Sequence, residues 1–160
     1  MITVREARDS DGHELAALLG AVFAEYDGCV FSFAELPELA AVASTFRAHG
    51  GTFWVAHREH HGCPVLVGCI GFEPHGASVE LKKLYVSARE RKSGLGQRLV
   101  ELVESTARAH NAASIELWSD TRFITAHRFY EARGYVRGTE VRELHDASAT
   151  SEYFFKKSLG

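Results

Sequence analysis

The stretch Val79–Leu102, VELKKLYVSARERKSGLGQRLVEL, constrains the chain more than any other. Val79 to Val86 is rich in branched and aromatic side chains, the composition of a strand. Leu95, Leu99, Leu102, Val103 and Thr106 then recur with helical period, which predicts a helix from Leu95 to His110. Glu104 and Arg108 add a favourable pair one turn apart on it. Gly94 and Gly96 fall at the turn between strand and helix, where they leave backbone amides uncovered by side chains. A helix start carries partial positive charge and amides without intrahelical partners, so this one suits a phosphate group. Arg89, Arg91 and Lys92 add formal positive charge beside it.

Two familiar nucleotide cradles fail on individual residues. A dinucleotide fingerprint needs a third glycine where this chain has Leu99. A P-loop needs Lys-Ser or Lys-Thr after its second glycine, but Gln97-Arg98 follows Gly96. On spacing alone, a phosphate cradle and a plain tight turn both remain open.

The rest of the chain supplies strands and helices in the order β α α β β β α β α β β. Ile2–Ala7 reads as a strand, and Asp11 with Glu14 has the spacing of a capping box. Leu15, Leu18, Leu19, Val22, Phe23 and Tyr26 mark one helical face. A second helix spans Leu36–His49, starting around Pro37 and closed by Gly50-Gly51. Thr52–His57 and Val65–Phe72 read as a hairpin joined by the polar turn Arg58 to Pro64. After the glycine turn and its helix come a short strand Ser114–Trp118 and a helix Arg122–Arg133. The strands Tyr135–Leu144 and Glu152–Leu159 end the chain. With 160 residues and no repeat or linker, the expectation is a single mixed α/β domain over residues 1–160.

Composition removes several function classes. A net charge of −3 argues against a general nucleic-acid binder, and the local basic cluster fits a small phosphorylated ligand better. No apolar run approaches a membrane span, and the N-terminus lacks a signal-peptide shape. Cys29, Cys63 and Cys69 are an odd count without CxxC spacing, so a disulfide framework is not expected and a cytoplasmic location is. His57, His60, His61 and Cys63 match no common zinc spacing and are read as a solvated turn, so no metal is expected.

The segment Arg91, Lys92, Ser93, Gly94, Leu95, Gly96, with ELKKLYV upstream and HRFYEARGYV downstream, resembles the GNAT superfamily of acyl-CoA-dependent N-acetyltransferases. The resemblance covers nearly the full chain. It implies a largely antiparallel mixed sheet of about seven strands with flanking helices and a splayed central V-cleft. It also implies acetyl-CoA as co-substrate. Amides of Arg91, Lys92, Ser93, Gly94, Leu95 and Gly96 would hold its pyrophosphate, and main-chain groups of Leu84, Tyr85 and Val86 would pair with its pantetheine arm. A bulge in that strand would open the cleft by freeing groups otherwise paired in the sheet.

Acetyl transfer to an amine needs a neutral nucleophile, an oxyanion partner and a proton for the thiolate. By resemblance, Tyr130 donates that proton or hydrogen-bonds the sulfur, and the amide of Val86 or Leu84 meets the oxyanion. Glu80 matches the glutamate base of the histone-modifying branch; a salt bridge with a neighbouring cation is the equal alternative, and Glu73 is a weaker second. Where the family often has Asn seven residues before the tyrosine, this chain has Phe123; the small residue four before it is kept as Ala126, and a common proline is Ala88 here. His127 lies one turn from Tyr130 and is read as a buried neighbour or a residue touching substrate.

Tyr26, Arg142 and Glu152 are the candidate acceptor-binding residues, with Asp27 and Asp146 beside them. An acidic wall would select a cationic amine, while Arg142 would suit a carboxylate-bearing one. The expected partner is a small-molecule or protein amine, with neither a membrane nor nucleic acid, and a homodimer is left open. The rival of another class is a non-catalytic acyl-CoA sensor with the same fold.

Overall fold

The computed structural model describes residues 1–160. Strands β1 (Ile2–Glu6), β2 (Thr52–His60), β3 (Cys63–His75), β4 (Ser78–Val86), β5 (Ser114–Asp120), β6 (Val136–Glu143) and β7 (Ser151–Ser158) build one sheet, ordered β1-β2-β3-β4-β5-β7-β6. Every neighbouring pair is antiparallel except β4 with β5.

Alternation along the central strands sends side chains to two cores. Helices α1 (Gly12–Phe23) and α2 (Val42–Ala48) cover one face, where Leu15, Leu19, Val42 and Phe46 pack on Phe53, Val55 and Cys69. Helices α3 (Leu95–Ala109) and α4 (Ile124–Ala132) cover the other, where Leu99, Val103 and Tyr130 pack with Trp54, Ile70, Leu117 and Phe155. The period of α3 read from sequence is the one it buries: Leu95, Leu99 and Val103 all lie in that core. Burying side chains of this size stabilises by roughly 1.5–3 kcal/mol each. No helix is long and apolar enough to cross a membrane.

The feature that makes room for a site is a bulge in β4. Cys69 faces Tyr85 and Gly71 faces Lys82, so the single residue Ile70 lies opposite both Lys83 and Leu84. Lys83 absorbs the extra length with a φ of 56°. A bulge bends its strand and breaks the ladder locally. β4 and β5 have already parted where it occurs: they pair only from Ser78 against Ser114 to Glu80 against Glu116.

The sequence reading and the structure differ at a few boundaries. The region Leu36–His49 is not one α-helix, because Pro37–Ala41 forms a 3-10 turn before α2 begins. The hairpin is tighter than Arg58 to Pro64. His60 pairs with Cys63, and only His61 and Gly62 turn, at φ of 49° and 79°. Two consecutive positive φ values match the right-handed twist of the flanking strands. His57 and His60 therefore lie on β2 itself. Asp11 does not cap α1 with its side chain; it reaches back to the Arg8 amide at 2.7 Å and to the Arg5 guanidinium at 2.8 and 2.9 Å.

Candidate active site

The parted strands β4 and β5 enclose a cavity of about 320 Å³. Leu81, Lys83, Leu84 and Tyr85 line it from β4, and Leu117, Trp118, Ser119 and Asp120 from β5. On its other edge each strand is paired, β4 with β3 and β5 with β7. The cavity-side edge of β4 from Leu81 onward has no strand partner, so its backbone groups are available to an extended ligand.

Tyr130 closes the cavity from α4, with Ala126 one turn before it and Phe123 at the helix start. Its ring sits among Phe129, Tyr135 and Phe155, with centroids 5.5, 5.6 and 6.0 Å away. Tyr130 is 5% exposed, and its hydroxyl has no hydrogen-bond partner in the protein while lining the cavity. Burial pushes this phenol well above its ordinary pKa, so it stays protonated at neutral pH. His127, by contrast, is buried behind the wall, with Nε2 3.0 Å from the Asp120 carbonyl oxygen. Burial lowers its pKa despite that bond, which leaves a neutral ring whose N–H fastens α4 to the end of β5.

The turn Arg91–Gly94 joins β4 to α3. Gly94 takes φ 87°, a left-handed conformation that L side chains resist, and a Cβ there would meet no atom within 4 Å. Gly96 lies under the Phe129 ring, where a Cβ would come to 3.4 Å. The backbone amides from Lys92 to Gln97 have no acceptor in the protein. They open α3, whose N-terminal dipole adds to their attraction for an anion. Ser93 points its hydroxyl back to the Glu90 carbonyl, and Leu95 is a core residue, so both serve through their amides. Arg91 pairs with Glu25 and donates to the Val86 carbonyl at 3.2 Å, which ties the turn both to α1's C-terminal extension and to the end of β4.

Glu80 stands on the face of β4 opposite Val79 and Leu81, which enter the α3 core. Its registered neighbours are Glu73 on β3 and Glu116 on β5. Lys82 lies 4.0 Å from its carboxylate and 3.0 Å from that of Glu73, and His49 pairs with Glu73 at 2.9 Å. Glu73 is held below the usual carboxylate range, since the bonds from His49 and Lys82 outweigh its burial. Neither glutamate is in the cavity wall.

Of the acceptor candidates, Glu152 and Asp146 line the cavity. Tyr26 stands beside it, its ring 4.7 Å from that of Phe123, and Asp27 is exposed on the following turn. Arg142 is turned outward over the Trp118 ring at 4.4 Å and donates through Nε to Glu152 at 2.7 Å. Asp120 and Arg122 form a buckle that the sequence reading passed over. Asp120 accepts from the Arg122 amide and guanidinium, each at 2.9 Å, and Arg122 continues to Thr150 at 3.3 Å. The signal was there, since an Asp two residues before the amide it binds is a turn former. Cys29 donates weakly to Asp120 at 3.9 Å, and burial raises its thiol pKa. The only clustered metal-type donors are Asp11, Glu14 and His57, and both Asp11 oxygens are already taken by Arg5.

The model of the acetyltransferase (GNAT) family matches residues 19–135, from mid-α1 to the residue after α4's closing turn. The chain belongs to the GNAT acetyltransferase family. No protein with a curated description matches this GNAT protein in sequence. Solved structures share its fold end to end. A GNAT-family acetyltransferase of Staphylococcus aureus Mu50 superposes with a TM-score of 0.83 at 23% identity, covering 100% of both chains. An acetyltransferase of Streptococcus agalactiae 2603 gives 0.78 at 22% identity, over 99% of this chain and 98% of the other. The PaiA N-acetyltransferase of Thermoplasma acidophilum, solved in complex with coenzyme A, gives 0.71 at 15% identity, over 99% of each chain. The bulged fourth strand and the cleft beside it are the GNAT fold.

Proposed function

We propose that this GNAT protein moves an acetyl group from acetyl-CoA to a primary amine by direct attack in a ternary complex. The observation that carries the reading is the combination of unpaired amides at Lys92–Gln97 with an unpaired edge of β4 leading to Tyr130. Six successive free amides at a helix start, Lys92 to Gln97, suit the pyrophosphate of coenzyme A. Of the expected clamp Arg91, Lys92, Ser93, Gly94, Leu95 and Gly96, only the Arg91 amide is already engaged, by the Ala88 carbonyl at 3.5 Å, so Arg91 would serve through its charge. Leu84, Tyr85 and Val86 would pair with the pantetheine arm as an added strand. That path brings the thioester into the cavity between β4 and β5. The complex with coenzyme A of the PaiA enzyme adds support for the donor.

In the proposed reaction the amine nitrogen bonds to the acetyl carbon and the carbon–sulfur bond breaks. The proton lost by nitrogen is balanced by the one gained at the thiol. The amide of Leu84 or Val86 is the proposed oxyanion donor, because neutralising the developing charge with a fixed dipole avoids reorganisation. Tyr130 hydrogen-bonds the leaving sulfur. Its raised pKa favours donation of a hydrogen bond over complete loss of the proton. Glu80 is proposed as a transient carrier of the amine's proton through a water relay, passing it to solvent while the thiolate takes one up from solvent, since its strand presents Leu81 and not Glu80 to the cavity.

Thiol release from acetyl-CoA, measured across a panel of amines, tests the reading. Turnover that is lost in Tyr130→Phe, with cofactor binding retained, is the expected result. Tight acetyl-CoA binding without turnover on any amine would instead identify a sensor that keeps the fold.

A further inference from the structure

The charges around the cavity sort into two groups. Glu35, Asp120, Asp146 and Glu152 line it, against one cation, Lys83. Asp120 is matched by Arg122 at 2.9 Å, Glu152 by Arg142 at 2.7 Å, and Lys83 by Glu38 at 2.7 Å. Asp146 and Glu35 have no cation within ion-pair distance. Asp146 accepts only from the Thr150 amide and hydroxyl, each at 2.8 Å, and Glu35 from the Ala147 amide at 2.9 Å. Because Ala147 follows Asp146 in the chain, that last bond holds the two carboxylates on one rim.

Tyr130 provides an independent sign that a ligand completes this cavity, being 5% exposed with a hydroxyl that lines it and binds nothing in the protein. The same cavity is also walled by apolar side chains, among them Phe23, Leu36, Leu117, Trp118 and Phe123. One cavity thus brings together a reacting group, apolar walls and two carboxylates without a cation. Resting on the N-acetyltransferase reading, we propose that the acceptor is a small diamine. One neutral amino group attacks beside Tyr130, and a second, protonated nitrogen at the end of an alkyl spacer docks between Glu35 and Asp146. An acceptor carrying a carboxylate at that distance meets like charge and is rejected, and Arg142, committed to Glu152 and Trp118, does not reverse this.

The test is kcat/KM for thiol release at fixed acetyl-CoA with putrescine, butylamine and gamma-aminobutyrate, which share a four-carbon reach and differ at the far end. Putrescine should exceed the other two by about tenfold or more, corresponding to about 1.4 kcal/mol. Added salt should shrink the ratio, because exposed charges are screened. Glu35→Gln, a change at an exposed residue, should lower the putrescine-to-butylamine ratio, and Glu35→Gln with Asp146→Asn should bring it near unity. Butylamine turned over as well as putrescine, or a ratio unmoved in both variants, overturns the diamine assignment and leaves the N-acetyltransferase reading standing. No turnover on any amine, with acetyl-CoA still bound, overturns both.

Discussion

Replacing Tyr130 by Phe separates a chemical role from a structural one, because the two predict opposite effects on stability. The ring is locked by Phe129, Tyr135 and Phe155, and Phe preserves those contacts. The hydroxyl makes no hydrogen bond within the protein and is open to the cavity rather than fully enclosed, so its removal orphans no donor or acceptor. A hydroxyl fully buried without a partner would cost about 1–3 kcal/mol in mutational series. Its exposure to the cavity reduces this, so Tyr130→Phe should be neutral or stabilising by up to about 1 kcal/mol. For a domain of this length that is a melting temperature unchanged or raised by up to about 4 °C. Turnover should fall on the order of 10²-fold, the lower end of what a positioned proton donor contributes. The paired assays are thermal unfolding and thiol release with saturating amine. A melting temperature lowered by several degrees would show a structural partner for the hydroxyl, and wild-type turnover in the variant would refute the catalytic role.

Other expectations follow from particular contacts. Gly94→Ala should cost about 1–2 kcal/mol, measured by denaturant unfolding, because φ 87° is strained for any L side chain although the Cβ itself meets nothing. It should also weaken coenzyme A binding by tilting the amides that follow. Acetyl-CoA at a hundredfold over Kd should add about 2.7 kcal/mol of stability, roughly 5–11 °C in melting temperature. Tyr135→Phe should destabilise by about 1–2 kcal/mol, since it removes the 2.9 Å bond from its hydroxyl to buried Glu104 and leaves that carboxylate to Lys157 alone. Burial raises the phenols of Tyr130 and Tyr135 above their unfolded value of about 10. Their contribution is therefore intact below about pH 10, and above it these two alone should take away about 2.7 kcal/mol per pH unit, with Tyr85, also raised by burial, adding to the fall, seen as steep alkaline unfolding.

The fold was legible where hydrophobic period was strong. Leu95, Leu99 and Val103 predicted both the extent and the buried face of α3, and the family resemblance anticipated the bulge that Lys83 makes. Boundaries were less legible where turn chemistry competes with period. His61-Gly62 closes β2 onto β3 in two residues, but histidine is a weak turn signal, so the sequence alone points to a broader turn. Pro37 marks a helix start in sequence, yet what it starts is a 3-10 turn. At the candidate site, Tyr130, Leu84, Tyr85 and Glu152 were named from sequence and all line one cavity. The unpaired carboxylates of the rim were harder to recognise, because whether Glu35 or Glu152 has a cationic partner depends on tertiary contacts more than a hundred positions away or across a strand pair. Glu80 on β4 and Glu73 on β3 show the same limit: period alone does not reveal that their strands turn them toward Lys82 and away from the cleft.

Backbone amide shifts during titration with acetyl-CoA test the central claim most directly. The account predicts saturable shifts at Lys92 to Gln97 and at Leu84 to Val86, the amides left without acceptors and the strand whose cavity-side edge has no neighbour. Saturating acetyl-CoA that leaves both segments unmoved would contradict it.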